Sequence, residues 1–145
     1  MKITLRQEPG AEKEIIVRYD AMDAEIRATL ELLNFRARRL AVEDGGTLRL
    51  LEPPEILYCE SVDDHTFAYT ASGVYRVGQT LTAIAENFSP LGFVRCSKSK
   101  AVNMHAIETL KSGVNGRIIA TLENGERILV SRRYAGAIRE CLKGD

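Results

Sequence analysis

The chain has 145 residues, a hydrophobic content of 45% and equal numbers of acidic and basic side chains, so its formal net charge is zero. This length is enough for one domain with a core, or for one domain with a small appended module. Neutrality argues against a polycationic nucleic-acid binder, so any contact with nucleic acid must come from local basic patches.

Long apolar segments are missing from the sequence. No run approaches the roughly 20 apolar residues of a membrane span, and the N-terminus lacks the continuous apolar core of a signal peptide. We therefore expect a cytoplasmic protein.

The cysteines and histidines do not form a recognisable metal or disulfide pattern. Cys59, Cys96 and Cys141 are odd in number and contain no close pair, and His65 and His105 are too few for a metal cluster. We interpret the cysteines as small apolar side chains and expect no cofactor and no metal. A cysteine nucleophile with a histidine base is the enzyme alternative, but no glycine-rich turn or acid partner accompanies it, so we expect no enzyme.

Residues 1–46 are predicted to form a small β-β-α-β module. Residues 2–6 alternate as a strand does, residues 14–19 (EIIVRY) are rich in β-branched side chains, and Pro9-Gly10 marks a turn between them. Residues 20–34 are predicted to be a helix, and residues 40–43 a weak strand that ends at the turn Asp44-Gly45-Gly46.

The predicted helix carries one apolar face, formed by Met22, Ile26, Leu30 and Leu33. A module of fewer than 50 residues cannot fully bury such a face. We therefore predict that residues 1–46 mediate self-association and that the protein is a homodimer.

The character of the sequence changes around Pro53-Pro54, because neither proline can donate to the ladder of a central strand. Before it, residues 47–51 are predicted to be the returning strand of a hairpin that turns at Asp44-Gly45-Gly46. After it, short strands joined by polar turns are predicted at residues 55–60, 66–70 and 74–77. Residues 80–91 are predicted to be a helix whose buried face carries Leu81, Ile84 and Phe88.

A short basic stretch follows this helix. Residues 93–96 are predicted to be extended, residues 97–100 to be a loop, and residues 101–103 to enter a strand. Within six residues the stretch carries three cations and two interleaved serines: Arg95, Ser97, Lys98, Ser99 and Lys100. The pattern is typical either of a solvated loop or of a loop that offers cations and hydroxyls to phosphates and base edges.

The C-terminal part contains the best hairpin of the sequence. Residues 117–122 and 127–130 alternate as strands do, and Asn124-Gly125 between them suits a tight turn. Residues 131–134 (SRRY) follow, and residues 135–142 are predicted to be a helix with Ile138 and Leu142 inward.

Taken in chain order, these segments resemble the LytTR DNA-binding domain of bacterial transcription regulators. The resemblance runs from about residue 52 to the C-terminus. Together with the small module predicted at residues 1–46, it divides the chain into residues 1–46 and 47–145. It implies a mainly β fold of stacked antiparallel sheets with short helices, in addition to the N-terminal module. The segments that carry the resemblance are residues 56–61 with His65, 81–88, 93–99 with Val102-Asn103, Asn124-Gly125 and 130–134.

The resemblance further implies a sequence-specific transcription regulator whose loops, rather than a recognition helix, enter the major groove of double-stranded DNA. It assigns base contacts to His65, Lys98 and Arg133. Phosphate or supporting contacts are assigned to Arg95, Ser97, Ser99, Lys100, Ser131 and Arg132. Ser97 stands where the family commonly has a histidine, and a serine can donate to a phosphate but cannot titrate.

The chemistry of the three base-reading candidates is suitable. Arg133 can donate both branches of its guanidinium to guanine O6 and N7, Lys98 can approach the same acceptors as a point charge, and neutral His65 can donate from one ring nitrogen. Each also has a structural alternative, in which His65 caps a turn, Lys98 is solvated and Arg133 pairs with Glu140. Asn103, by contrast, is expected to bond to backbone.

Two partner hypotheses follow. The resemblance suggests a membrane protein, encoded nearby, that restrains the regulator. The alternative function is a protein–protein interaction module that uses exposed strand edges and does not bind DNA.

Overall fold

A computed structural model of the chain describes residues 1–34 and 38–143, without the side chains of residues 31–34 and 143. The helices in this part are α1 (Ala24–Asn34), α2 (Leu81–Asn87) and α3 (Arg132–Lys143). The strands are β1 (Leu40–Asp44), β2 (Thr47–Leu51), β3 (Ile56–Val62), β4 (His65–Thr70), β5 (Val74–Val77), β6 (Phe93–Arg95), β7 (Lys100–Asn103), β8 (Ile107–Ser112), β9 (Ile118–Leu122) and β10 (Arg127–Val130). The predicted mainly β class is confirmed.

The strands form two antiparallel sheets, one of seven strands in the order β2-β1-β5-β4-β3-β7-β6 and one of three strands in the order β10-β9-β8. The pairing of β3 with β4 is irregular between Ile56 and Tyr58. This bulge directs the consecutive residues Leu57 and Tyr58 into one core while Ile56 and Cys59 enter the other. Strand β3 is therefore buried on both faces and lies at the centre of the fold.

The seven-stranded sheet separates two cores. Helix α2 covers one face, and its start is stabilised by the Thr80 hydroxyl, which accepts a hydrogen bond from the Ala83 amide at 3.1 Å. The three-stranded sheet and α3 cover part of the other face. Large side chains of the first core include Leu40, Leu51, Ile56, Ile84, Leu91 and Phe93, and those of the second include Leu122, Ile128, Val130 and Ile138.

The strands predicted at residues 2–6 and 14–19 are not present, because residues 1–23 contain no strand. The predicted turn does form, since the Ala11 amide donates to the Glu8 carbonyl at 3.2 Å. Ile3, Leu5 and Ile15 are nevertheless exposed. Alternation alone does not make a strand, because a strand also needs a ladder partner and an apolar surface to cover.

Strand β1, which we assigned to the N-terminal module, belongs to the large sheet. It pairs with β5, where Val42 lies opposite Val77 and Glu43 opposite Arg76. The β-β-α-β arrangement predicted for residues 1–46 is therefore wrong, although its helix exists as α1. The predicted division at residue 46 falls in the turn between β1 and β2, and the division into two domains stays a prediction.

Two helix predictions need correction. Helix α1 begins at Ala24 rather than at residue 20, and the carboxylate of Asp23 accepts a hydrogen bond from the Ile26 amide at 2.9 Å. Helix α3 begins at Arg132, and Ile138 is buried as predicted, but Leu142 is 54% exposed because the contact with the core ends one turn earlier. The side chain of Leu33 lies outside the described residues.

No helix of the described part is long and apolar enough to cross a membrane.

Candidate nucleic-acid interface

The three segments that carry the candidate site residues meet at one end of the large sheet. Strands β3 and β7 are antiparallel with Glu60 opposite Lys100, so the loop 96–99 lies beside the end of β3. The Ser61 amide donates to the Ser99 carbonyl at 2.8 Å. The Ser131 amide donates to the Cys96 carbonyl at 2.9 Å. The loop 96–99 is thus bonded to β3 on one side and to the start of α3 on the other.

His65 lies directly after the turn between β3 and β4. Asp63 and Asp64 form this turn with positive φ angles of 50° and 65°, a conformation that a two-residue hairpin turn needs and that short polar side chains tolerate. The ring of His65 is exposed, and its Nδ1 lies 2.8 Å from Nη2 of Arg76 on β5. The ring therefore bonds across the sheet, and not within the turn as the structural alternative proposed.

The guanidinium of Arg95 donates hydrogen bonds to the backbone of the loop 96–99. Its Nη2 donates to the Lys98 carbonyl at 2.5 Å, its Nε to the Ser97 carbonyl at 3.4 Å, and its Nη1 to the Thr82 hydroxyl at 3.4 Å. These contacts fix the backbone of the loop and join it to α2. The side chain of Lys98, by contrast, is exposed.

Lys100 is also held by neighbouring side chains. Its Nζ lies 3.5 Å from a carboxylate oxygen of Glu60 and 5.8 Å from the ring centroid of Tyr58. The Glu60 carboxylate also accepts a hydrogen bond from the Tyr69 hydroxyl at 2.9 Å, and the rings of Tyr58 and Tyr69 stack at 4.3 Å. Burial, together with this bond to Glu60, raises the pKa of Tyr69. Lys100 thus offsets the charge of Glu60 at the base of the loop.

The serines of the loop are half-buried and shape it from within. The Ser97 hydroxyl accepts a hydrogen bond from the Ser99 amide at 3.3 Å. The Ser97 amide donates to the Lys100 carbonyl at 3.3 Å. This arrangement is a local side-chain turn, which presents residue 98 at the tip.

Arg132 and Arg133 form the first turn of α3, where the helix dipole is positive and favours anions. The aliphatic stem of Arg132 packs closely on Gly116. A Cβ at that position would lie only 3.0 Å from Cγ of Arg132. Arg133 is exposed, with its guanidinium carbon 5.6 Å from the ring centroid of Tyr134. Among the described residues no carboxylate lies within ion-pair distance of Arg133, so its predicted alternative pairing with Glu140 is not formed.

Asn103 is structural, as predicted. Its side chain is buried, its Nδ2 donates to the carbonyls of Ile56 at 2.9 Å and Pro53 at 3.4 Å, and its Oδ1 accepts from the His105 amide at 3.0 Å. The side chain thereby joins the end of β7 to the start of β3.

The buried cysteines are poor nucleophiles. Burial raises the pKa of Cys59 to about 12 and that of Cys96 to about 11, whereas a reactive cysteine needs a lowered pKa. Within the described ranges no group of three or more histidine, cysteine or acidic side chains is arranged to hold a metal.

Arg76 was not identified from the sequence as a site residue. It belongs to a row of side chains that crosses the sheet on one face, since residues directly opposite each other in antiparallel strands point the same way. The row consists of Glu43, Arg76, Phe67, Glu60 and Lys100. Only the register of four strand pairs reveals it, so no local sequence signal could have done so.

The sequence model of the LytTr DNA-binding domain matches residues 46–143. The sensory transduction protein LytT of Bacillus subtilis is 24% identical over 130 residues, which are 90% of this chain and 54% of that protein. The protein of the same name from Enterococcus faecalis is 27% identical over 93 residues, which are 63% of this chain and 38% of that protein. The chain therefore spans about half or less of the length of these curated relatives.

The fold also matches a solved structure. A LytTr DNA-binding domain from Bacillus cereus superimposes with a TM-score of 0.67 at 21% identity, and the match covers 72% of this chain and 95% of that domain. At this identity the likeness shows the mainly β fold alone. Because the family's own sequence model covers more than half of the chain, the protein belongs to the family of LytTr DNA-binding domains.

Proposed function

We propose that the protein is a sequence-specific transcription regulator that binds double-stranded DNA through the loops at one end of its large sheet. The observation that carries this proposal is the pair of backbone hydrogen bonds, Ser61 to Ser99 and Ser131 to Cys96, which hold three polar segments side by side. Loops fixed in this way can enter the major groove without a recognition helix.

The side chains divide into two groups under this proposal. His65, Lys98 and Arg133 are exposed at the ends of the three segments and are proposed to contact base edges. Arg132, Ser131, Ser97 and Ser99 are proposed to contact phosphates or to support the loops. Arg95 and Lys100 act behind them, because their cationic groups already bond to the loop and to Glu60.

The DNA affinity is expected to depend only moderately on salt, because the three segments carry few exposed cations, namely Lys98, Arg132 and Arg133. The acidic Asp63 and Asp64 lie in the turn before His65. Since each neutralised phosphate contributes about −0.9 to the slope of log K against log salt, we expect a slope of roughly −1 to −3 for each protomer. Specificity must then come from the fixed positions of the loops.

Salt-titrated binding to the DNA upstream of the protein's own gene, with random duplex as competitor, tests the proposal. We expect affinity to fall as salt rises and a cognate preference of at least about 10³-fold over random duplex. Equal affinity for both duplexes at every salt concentration would reject sequence-specific recognition.

A family defined by DNA binding is not a class of enzymes, and the raised pKa values of the buried thiols are consistent with this.

One observation favours the second candidate function, a protein-interaction module. Strand β2 is an edge of the large sheet, and its Leu48 and Leu50 are 68% and 49% exposed. Capture of a partner by this edge, with weak salt dependence and no DNA binding, would favour that alternative.

A further inference from the structure

We propose that Arg76 determines part of the specificity of the interface by fixing the tautomer of His65. In this arrangement His65 presents its Nε2–H to DNA as a hydrogen-bond donor. The role of His65 toward DNA rests on the proposed function, whereas the tautomer is a property of the free protein.

The geometry leaves one assignment of the proton. Nη2 of Arg76 lies 2.8 Å from Nδ1 of His65. A guanidinium has donors only and stays protonated in proteins, so Nδ1 must be the acceptor. A neutral imidazole whose Nδ1 accepts carries its proton on Nε2.

The sheet positions this pair. Arg76 on β5 lies opposite Phe67 on β4, and His65 precedes Phe67 by two residues, so all three side chains point to the same face. Glu43 lies opposite Arg76 on the other side, on β1. The acidic residues Glu43 and Asp64 line the same cleft of about 290 Å³ as Arg76 and His65.

A fixed donor discriminates between bases in the major groove. An Nε2–H can bond to guanine O6 or N7, adenine N7 or thymine O4, but it cannot accept from the amino groups of cytosine or adenine. Without Arg76 either ring nitrogen of His65 can carry the proton. The ring can then accept as well as donate, so the preference at that one position should relax.

Two substitutions separate this role from a general effect of charge. Arg76→Met keeps the apolar stem but removes every donor, whereas Arg76→Lys keeps a cationic donor. Arg49→Met is the matched control, because Arg49 is an arginine of the same sheet that bonds instead to the Tyr75 hydroxyl, at 2.8 Å.

The first measurement is nitrogen-15 NMR of the histidine rings in the full chain, which has two histidines; a His65→Gln variant assigns the signals. We expect His65 to be protonated at Nε2 in the unmodified protein and in Arg49→Met, and to show a mixture of tautomers in Arg76→Met. A protonated Nδ1 in the unmodified protein, or an unchanged tautomer in Arg76→Met, would overturn the pairing.

The second measurement is base preference on duplexes mutated at each position of the cognate site. We expect Arg76→Met to relax the same position as His65→Ala, from a discrimination of roughly 5- to 150-fold to within about threefold, and Arg76→Lys to retain most of it. An equal loss on cognate and random duplex would make Arg76 a phosphate contact and overturn its specificity role. If the unmodified protein binds no DNA, the proposed function fails, while the tautomer measurement still decides the pairing.

Discussion

Replacing Asn103 by alanine is expected to destabilise the fold without changing base preference. Asn103 is 1% exposed, and its side-chain amide joins the end of β7 to the segment that leads into β3. It also accepts a hydrogen bond from the His105 amide at 3.0 Å. Alanine removes all three of these hydrogen bonds.

The expected cost follows from these lost bonds. Each of the three hydrogen bonds contributes about 0.5–1.5 kcal/mol to stability. We therefore expect Asn103→Ala to lower the free energy of unfolding by about 3 kcal/mol. For a chain of this length such a loss lowers Tm by roughly 10 °C.

Thermal and urea unfolding followed by circular dichroism measure this change. Asn124→Ala is the matched control, because the Asn124 side chain accepts the same kind of bond from the amide two residues on, at 3.1 Å, but on the surface. We expect the control to lose about 0.5 kcal/mol and both variants to keep their base preference. Equal stability losses in the two variants, or a relaxed base preference in Asn103→Ala, would refute the structural role of Asn103.

Three further predictions concern the loop, the thiols and the N-terminal segment. Arg95→Ala is expected to lower cognate affinity by roughly tenfold, because the loop 96–99 loses charge-assisted hydrogen bonds; an equal loss on random duplex would instead make Arg95 a phosphate contact. Because burial raises the pKa of Cys59 to about 12 and that of Cys96 to about 11, the folded state keeps protons that the unfolded state releases above about pH 9. Stability should therefore fall as pH rises from 9 to 11, by roughly 1.4 kcal/mol per pH unit for each thiol; urea unfolding measures it, and a stability independent of pH there would contradict it. The full chain is expected to sediment as a dimer and a chain lacking residues 1–34 as a monomer, and an unchanged dimer would contradict self-association through the N-terminal part.

Elements that depend on local signals were predictable from the sequence. The hairpin of β9 and β10 follows from its Asn-Gly turn, and α2 follows from its apolar spacing and its Thr80 cap. The location of the basic loop before β7 follows from the change between polar and apolar residues. The family resemblance then predicted the mainly β class, with stacked antiparallel sheets and short helices.

Features that depend on distant partners were not predictable in the same way. The pairing of β1 with β5 joins segments more than 30 residues apart, and nothing local in residues 40–43 indicates it. A run of cations does not reveal that Arg95 bonds to the carbonyl of Lys98, or that Lys100 pairs with Glu60. The bond between His65 and Arg76 depends on strand register, which the alternation of a single strand does not specify.

The base preference of Arg133→Ala, compared with that of Arg139→Ala, is the most direct test of recognition through these loops. Both arginines are exposed on α3, but residue 139 lies about 9 Å further along the helix axis. We expect Arg133→Ala to lose about 1–3 kcal/mol on the cognate site and to relax one base position, with little change on random duplex, and Arg139→Ala to behave as the unmodified protein. Equal losses for Arg133→Ala on cognate and random duplex, or no loss on either, would contradict base recognition at this end of the sheet.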